Sequence, residues 1–524
     1  MRSFLGKFIE KPILILLAAN ILAGLLVFRN YGLSWDEPLF YQYADALGYA
    51  YSPREWFSGN FDLEKSYGPS GEDHKTRGPA YILLAREPVH LLESFGLDEA
   101  SAWHLVNFLF FQLGVYFLYR LSRRWMKPAS ALAASALFSW QPLLWGHSFI
   151  NPKDPPFLVC FLASVCLGFE MVNHLADESK TGTQKISAVI LPGIFLGLAT
   201  SIRVLGPLAG LLVIAYAIWS SRRKLKQVIP PLFIYGLVTT LAMLASWPFL
   251  WENPIARFIE VFRLMSDNPT QLSVLFDGEV FRANDMPRRY LPFMLAATLT
   301  EPVWLLFFIG SASGFWAAFK RRQDPDRRVS LILVLLWFLI LLGYVLIRQP
   351  ALYDGLRHFM FILPPVFILG GIGFEFLMER FGIFWLRAGL VFLLLLPEPI
   401  GILQLHPYEY AYYNSFVGGT GAVFREYETE YWLTCYKEAV ERLDEMVSQP
   451  KDLYVRREAY IAEYYADEQT TVHELRGARR EVESGDYVLV STRTNEDRST
   501  FRDAPTVLKI SRGKALFCVI RQIP

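Results

Sequence analysis

Apolar residues along this chain gather in long unbroken runs, not in the stripes of a surface helix or the alternation of a half-buried strand. The first run, Pro12 to Phe28, is about as long as a bilayer crossing requires. Others follow at about 102–119, 129–145, 156–173, 187–202, 206–220, 229–249, 291–318, 330–347, 359–378 and 382–403. Such runs predict a polytopic α-helical membrane protein of about eleven transmembrane helices, because in lipid a helix satisfies its own backbone groups. Arg203 and Pro207 split the stretch 187–220 into two short spans. The first run follows Arg2, Lys7 and Lys11 and lacks a small-x-small cleavage site, so it reads as a retained signal anchor.

Beyond residue 404 the pattern changes. His406 to Tyr436 is rich in tyrosine and holds Gly418, Gly419 and Gly421. A helix is predicted over Tyr436–Val447, then strands over Asp452–Val455, Thr471–Glu474, Tyr487–Ser491, Thr506–Ile510 and Leu516–Arg521, with a helix over Ala459–Ala466 between the first two. That order predicts a small α/β domain. The expected division is a transmembrane catalytic domain over 1–403, including a long first loop over 29–100, and an outer α/β domain over 404–524. Half-apolar stretches at Tyr81 to Phe95 and Pro254 to Met265 read as helices lying in the membrane interface. The tyrosines of 406–436 read as rings at headgroup level, with stacking on sugar faces as the alternative.

Charge then orients the runs. Arg120, Arg123, Arg124 and Lys127 share one gap; Arg222, Arg223, Lys224 and Lys226 a second; Lys320, Arg321, Arg322, Arg327 and Arg328 a third. With eleven crossings all three fall on the side of the N-terminus, which the positive-inside rule makes cytoplasmic. The segments at 29–100, 147–155, 250–290 and 348–358, and everything after 404, then share the opposite, extracytoplasmic face of a cell membrane.

The 524 residues carry a net charge of +1, with only 19% charged and 15% aromatic. This is too apolar for a soluble enzyme of that size, and no basic excess points to nucleic acid. Cys160 and Cys166 fall within a span, whereas Cys435 and Cys518 both fall in the tail, where pairing is open but not implied by a separation of 83 residues.

Chemistry concentrates on the extracytoplasmic side. In Tyr31-Gly-Leu-Ser-Trp-Asp-Glu-Pro-Leu-Phe-Tyr41, Asp36 and Glu37 form an acidic pair just past the first span. One carboxylate can act as a base and a second can tune it. Ser34 and Glu37 also fit a capping box, which accounts for Glu37 and leaves Asp36 unassigned. His147-Ser-Phe-Ile-Asn-Pro-Lys-Asp-Pro-Pro156 brings Lys153 and Asp154 to the interface, either as a phosphate contact and a second acid or as a proline-ended turn. Arg203 stands in an otherwise apolar stretch and needs a partner, an aqueous cavity or an interface to snorkel to. Tyr353-Asp-Gly-Leu-Arg-His-Phe-Met-Phe-Ile-Leu-Pro-Pro365 delivers Arg357 and His358 where a span begins, and arginine suits bidentate phosphate binding. Glu72-Asp-His-Lys-Thr-Arg77 adds a polar cluster, His74, Lys75 and Arg77, that reads first as a solvated loop. One histidine among scattered carboxylates is a weak metal signal, so no cofactor is assigned and a divalent cation is left open.

The acidic pair after the first span, the proline-flanked Asp154 and the Arg357-His-Phe-x-Phe-x-Leu-Pro-Pro365 start of a late span together resemble the glycosyltransferase C superfamily. Within it the chain is most similar to the group related to dolichyl-phosphate-mannose protein mannosyltransferases and the lipid A aminoarabinose transferase, over about 12–400. The run from His406 through Gly419 to Trp432 resembles prokaryotic members with an extra outer domain. The resemblance implies a polyprenyl-phosphate sugar donor, inverting transfer to an acceptor glycan, lipid or protein, Asp36 as base with Glu37 beside it, Asp154 as a second acid, and Arg357 and Arg203 near the donor phosphate. The inserted domain of the mannosyltransferases is not evident, so a protein acceptor is not implied. A transporter or flippase of lipid-linked sugars and a non-catalytic envelope scaffold are the rival readings.

Overall fold

The computed structural model describes residues 12–69, 74–222, 225–267, 270–319 and 324–524. Among these, seven helices are long and apolar enough to cross a membrane: Ile13–Asn30, Glu99–Ser122, Asp154–Ala176, Gly182–Ile202, Lys226–Ala245, Pro325–Arg348 and Phe384–Leu405. The bent pair Tyr290–Thr298 and Glu301–Ala317, which turns by 107°, is a broken span or a re-entrant loop. The other expected crossings are shorter or interrupted. Residues 129–145 form two helices, Pro128–Trp140 and Pro142–Ile150, and 206–220 form the short helix Pro207–Ser220. Residues 359–378 form a 3-10 turn, Arg357–Ile362, followed by Pro364–Arg380. Proline explains the interruptions at Pro142 and Pro364, since it cannot donate to the preceding turn. Arg2, Lys7, Lys11, Arg223, Lys224 and Lys320 to Arg322 lie outside the described residues.

Two of the breaks satisfy one another. The Gln141 side chain donates to the Thr298 carbonyl at 3.0 Å and accepts from the Thr300 N–H at 3.3 Å. Asn414 donates to the carbonyls of Ala296 and Leu299, each at 2.7 Å. Backbone groups that a straight helix would pair internally are thus taken up by buried amides. Elsewhere the helices pack backbone to backbone: a Cβ on Gly310 or Gly373 would overlap the facing helix's carbonyls. Outward, Leu26, Phe233, Ile347 and Leu403 are largely exposed, as lipid-facing residues are.

Polar segments collect at two ends of the bundle. At one end Arg120 pairs with Glu170, Lys127 with Glu379, Trp125 donates to the Arg327 carbonyl, and Ser220 donates to Asp326. These are three of the basic gaps brought together. At the other end lie the segments around Asp36, Asn151 and Asp354, in contact with the tail.

The tail carries a five-stranded sheet. After a small hairpin, β1 (Ser273–Phe276) and β2 (Glu279–Arg282), come β3 (Lys451–Val455), β4 (Thr470–Glu474), β5 (Tyr487–Ser491), β6 (Thr506–Arg512) and β7 (Ala515–Gln522). The order is β4-β3-β5-β7-β6, with β4, β3 and β5 parallel and β7 antiparallel to both neighbours. Helices Cys435–Met446 and Ala459–Tyr465 accompany it. The small α/β domain expected from the order of helices and strands is found, with a mixed sheet whose β4-β3-β5 half is parallel and reached by crossovers. Cys435 and Cys518 are disulfide-bonded, with their Cα atoms 6.2 Å apart, and tie the first of these helices to β7.

The tyrosine-rich segment departs from expectation. Tyr408, Tyr410, Tyr413, Tyr431 and Tyr436 are buried at 0–3% exposure. Tyr408 donates to Glu438, Tyr410 to Glu430, both at 2.7 Å, and Tyr413 to the Glu428 carbonyl at 2.8 Å. These rings neither line a headgroup layer nor offer open faces to a sugar. They form the joint between helices and sheet, and their hydroxyls pair buried polar groups.

Candidate active site

Asp36 lies at the start of helix Glu37–Ala50, which Pro38 opens in its first turn. The segment before it is gripped by the tail. The Trp35 N–H donates to the Trp432 carbonyl at 3.2 Å, the Tyr460 hydroxyl donates to the Trp35 carbonyl at 2.6 Å, and the Leu33 N–H donates to the Tyr465 hydroxyl at 2.9 Å. Asp36 accepts from Arg357 at 2.9 Å and keeps 24% of its side chain open. Burial acts to raise its pKa, but the Arg357 and Arg77 guanidiniums outweigh this and hold the carboxyl below its usual range. Arg357 is nearly enclosed. Its other arm reaches Asp354 at 2.9 Å, and its plane lies over Trp432, 5.0 Å from the ring centre.

Asp154 is built by the loop before it. The Asn151 side chain accepts from the N–H groups of Lys153 and Asp154, at 3.0 and 2.9 Å, and donates to the Asp154 carboxylate at 2.9 Å. Pro155 and Pro156 then start the buried helix Asp154–Ala176. Arg203, where helix Gly182–Ile202 ends, forms an ion pair with Asp154. The lone arginine of the apolar stretch therefore has its partner. Gly78 sits so tightly on this helix end that a Cβ there would overlap the Ser201 carbonyl. That approach brings the Arg77 loop against the end of the Arg203 helix.

Two cations are left without a carboxylate partner among the described residues. Lys153 packs its ammonium over the Phe40 ring at 5.4 Å. Burial, then the charges of Arg77 and Arg203, push its pKa well down. Arg77 acts on Asp36, His74 and Lys153 alike, so it belongs to the same group. The site thus holds two acids, each matched by an arginine, and a surplus of positive charge from Lys153 and Arg77. An anion entering here meets Arg77 and would favour the charged form of Lys153, which burial and the neighbouring arginines oppose.

Not every candidate joins them. Glu37 is fully buried and accepts from the Ser34 N–H and the Tyr41 hydroxyl, each at 2.7 Å. The Ser34 hydroxyl instead donates to the Ile150 carbonyl, so only half of the capping box forms. His104 lies 3.2 Å from Glu37, and none of the site's cations touches it. His74 is buried against Phe40 and Tyr43, and burial, Arg77 and Lys153 push its pKa down to about 4, so its imidazole is neutral. The solvated-loop reading fails for His74, whereas Arg77 is half-buried and Lys75 faces Glu64 at 4.0 Å. Glu72 and Asp73 lie outside the described residues. His358 stands edge-on to Tyr353 but does sit with the site: it acts on Asp154, and burial, then Arg357, push its pKa well down. Among the described residues no group of three or more His, Cys, Asp or Glu could hold a metal ion.

Sequence reasoning missed Asp354 and Arg493. Arg493 follows β5 in a Ser-Thr-Arg-Thr-Asn stretch that reads as an ordinary loop, yet it is buried and donates to Asp354 at 2.9 Å. Nearby, Glu428 and Glu430 are buried, and burial pushes both pKa values up to about 7.

Residues 92–251 match the family model described as dolichyl-phosphate-mannose-protein mannosyltransferase. This segment includes Lys153, Asp154 and Arg203 but neither Asp36 nor Arg357. No curated protein matches the chain. Among solved structures, the chain is similar to the archaeal oligosaccharyltransferase AglB from Archaeoglobus fulgidus in complex with an inhibitory peptide and a dolichol-phosphate. The identity is 12%, with 95% of this chain and 71% of that one covered and a TM-score of 0.51. It is also similar to ArnT from Cupriavidus metallidurans bound to undecaprenyl phosphate, at 13% identity, 97% of each chain and a TM-score of 0.49.

Proposed function

We propose that this chain, a multi-pass membrane protein of the glycosyltransferase C fold whose residues 92–251 carry the mannosyltransferase-family segment, is an inverting glycosyltransferase. It moves a sugar from a polyprenyl-phosphate donor to an extracytoplasmic acceptor hydroxyl. The observation that carries the reading is the pairing of Asp36 with Arg357 beside Asp154 and Arg203, with Lys153 and Arg77 left unneutralised. The family's description names a dolichyl-phosphate sugar, which supports a lipid phosphate as the anion.

The chemistry follows from the groups present. The acceptor hydroxyl attacks the anomeric carbon and gives its proton to Asp36. The bond from that carbon to the phosphate oxygen breaks, and its electron pair leaves with the polyprenyl phosphate. Lys153 and Arg77 stabilise the charge that grows on the leaving phosphate. Arg357 keeps Asp36 ionised and aimed, and Arg203 does the same for Asp154. One displacement with no enzyme-bound intermediate inverts the anomeric centre. The sugar-bearing face is extracytoplasmic and the N-terminus cytoplasmic. The basic gaps gathered at the far end support this, and so does the Cys435–Cys518 disulfide, since disulfides persist in oxidising compartments.

Mass spectrometry of products after incubating the purified protein with a panel of polyprenyl-phosphate sugars tests the reading. Transfer to an acceptor, with release of polyprenyl phosphate, is expected. Movement of an intact lipid-linked sugar across proteoliposomes without product would favour the flippase instead, and neither outcome would favour a scaffold.

A further inference from the structure

Arg493 comes from the sheet, yet its guanidinium sits among segments of the helical bundle. It is 3% exposed. Its plane covers the Trp35 ring at 4.6 Å, one nitrogen donates to the Tyr431 carbonyl, and another donates to Asp354 at 2.9 Å. Asp354 is fully buried and turns its other oxygen to Arg357 at 2.9 Å. Arg357 in turn donates to Asp36 at 2.9 Å. The four side chains therefore alternate in sign, Arg493, Asp354, Arg357, Asp36. They run from a loop after β5 to the acid at the end of the first span.

We infer that Arg493 is a positioning residue of the transfer reaction, setting through Asp354 how much of Arg357 is given to Asp36. This rests on Asp36 being the base. The physical reason is competition. Arg357 serves two carboxylates, and a guanidinium shared by two acids stabilises each less than it would stabilise one. Arg493 supplies Asp354 with a cation of its own, and so leaves Arg357 free to hold Asp36. Without Arg493, Asp354 would be a buried, half-neutralised carboxylate with one cation in reach, and it would draw Arg357 toward itself. The stack on Trp35 adds a second link, because Trp35 immediately precedes Asp36 and its backbone is pinned by Trp432 and Tyr460.

The other groups facing Asp36 set the background. Arg77, Lys153 and the neutral His74 imidazole come from the first loop and the Asn151 turn. Asp154, Glu458 and Tyr460 come from the buried helix and the tail. None of these contacts Arg493 or Asp354 by a hydrogen bond or ion pair among the described residues. Glu428 acts on both Arg493 and Asp354 from the tail, and changes at those two positions reach Asp36 through Arg357 and, for Arg493, through the Trp35 stack as well.

The test is an infrared difference titration of the full-length protein in detergent, with D36N as the reference that isolates the Asp36 carboxyl band. It needs no substrate. In R493Q the midpoint for Asp36 should rise by about one pH unit, as expected when the share of a neighbouring opposite charge is reduced. In D354N, where Arg357 has only Asp36 to serve, the midpoint should fall. R493K should stay near the wild-type midpoint. Opposite movement of R493Q and D354N is not what loss of folding would give, and each variant is readable if the other fails to fold. An unmoved midpoint in either variant, or movement of both in one direction, overturns the inference. Full transfer by D36N would instead overturn Asp36 as base and leave the titration standing.

Discussion

The Asp36 carboxylate and the Arg357 guanidinium meet at 2.9 Å across a sequence separation of 321 residues. The loop after the first apolar helix and the segment before helix Pro364–Arg380 are thereby held to one geometry. The pair also explains how an acid beside apolar walls stays charged, since an unpaired carboxylate there would take up a proton instead.

Asp36→Asn removes the proton acceptor and keeps the shape. Transfer should fall by at least the factor of about 10²–10⁴ that a positioned base contributes. The variant should still insert and elute as a folded protein. Single-turnover assays with the donor found in the product screen check this, and turnover near wild type would end the assignment.

Arg357→Lys keeps the charge but offers a point where a planar fork now bridges Asp36 and Asp354. One of the two acids is left short, and donor use should drop at least tenfold, of the order lost when a charge-assisted hydrogen bond of about 1.5–3 kcal/mol goes. Steady-state kinetics for wild type and variant, compared at saturating acceptor, measure it; unchanged kcat/KM for donor would show that the fork is not needed.

Lys153→Met separates binding from stability. Lys153 has no carboxylate within ion-pair distance among the described residues, and burial makes its charged form costly. The thermal midpoint of the variant should therefore rise. Its affinity for undecaprenyl phosphate should fall by roughly 10–100-fold, again the range of one charge-assisted contact. A variant that binds the probe as wild type does would remove Lys153 from the phosphate site.

Glu430 makes stability depend on pH. Burial raises its pKa from 4.5 to about 7, although Tyr410 and the N–H groups of Leu433 and Trp432 pull the other way. The folded state then holds the proton longer than the unfolded chain does. Its stabilising effect is complete below the unfolded pKa and is lost as pH rises toward about 7, levelling above that. The loss is on the order of 3 kcal/mol at most. Thermal midpoints should fall between pH 5 and pH 8 in the wild type, and Glu430→Gln should flatten that slope. An equal slope in both proteins would assign the effect elsewhere.

The sheet was legible because each strand is a short β-branched or aromatic run with polar ends; Tyr487–Ser491 is found at its predicted bounds, and the other strands within two residues. The hairpin of β1 and β2 was legible too but went unread, since Asp277 and Gly278, both at positive φ, are the turn that an Asp-Gly pair forms. The acidic pair and the Arg357 segment stood out because charge beside a long apolar run is costly and rare. Arg493 did not, because a polar loop gives no sign of which of its cations is buried. The tyrosine run misled for a related reason: side chains that pair with carboxylates twenty to thirty residues away look, in sequence, like residues meant for an interface.

The distance along the chain from Asp36 to Arg493 bears on biogenesis. A ribosome makes Asp36 among the first residues and Arg493 only shortly before Pro524. Until Arg493 has been made and has docked on Trp35, Asp354 has Arg357 as its single counter-ion. Stalled or clipped chains would therefore carry every residue of the bundle and still lack the charge that completes its balance. The sheet then works as a seal on manufacture, since the charge balance around Asp36 closes only after the loop that follows β5 is in place.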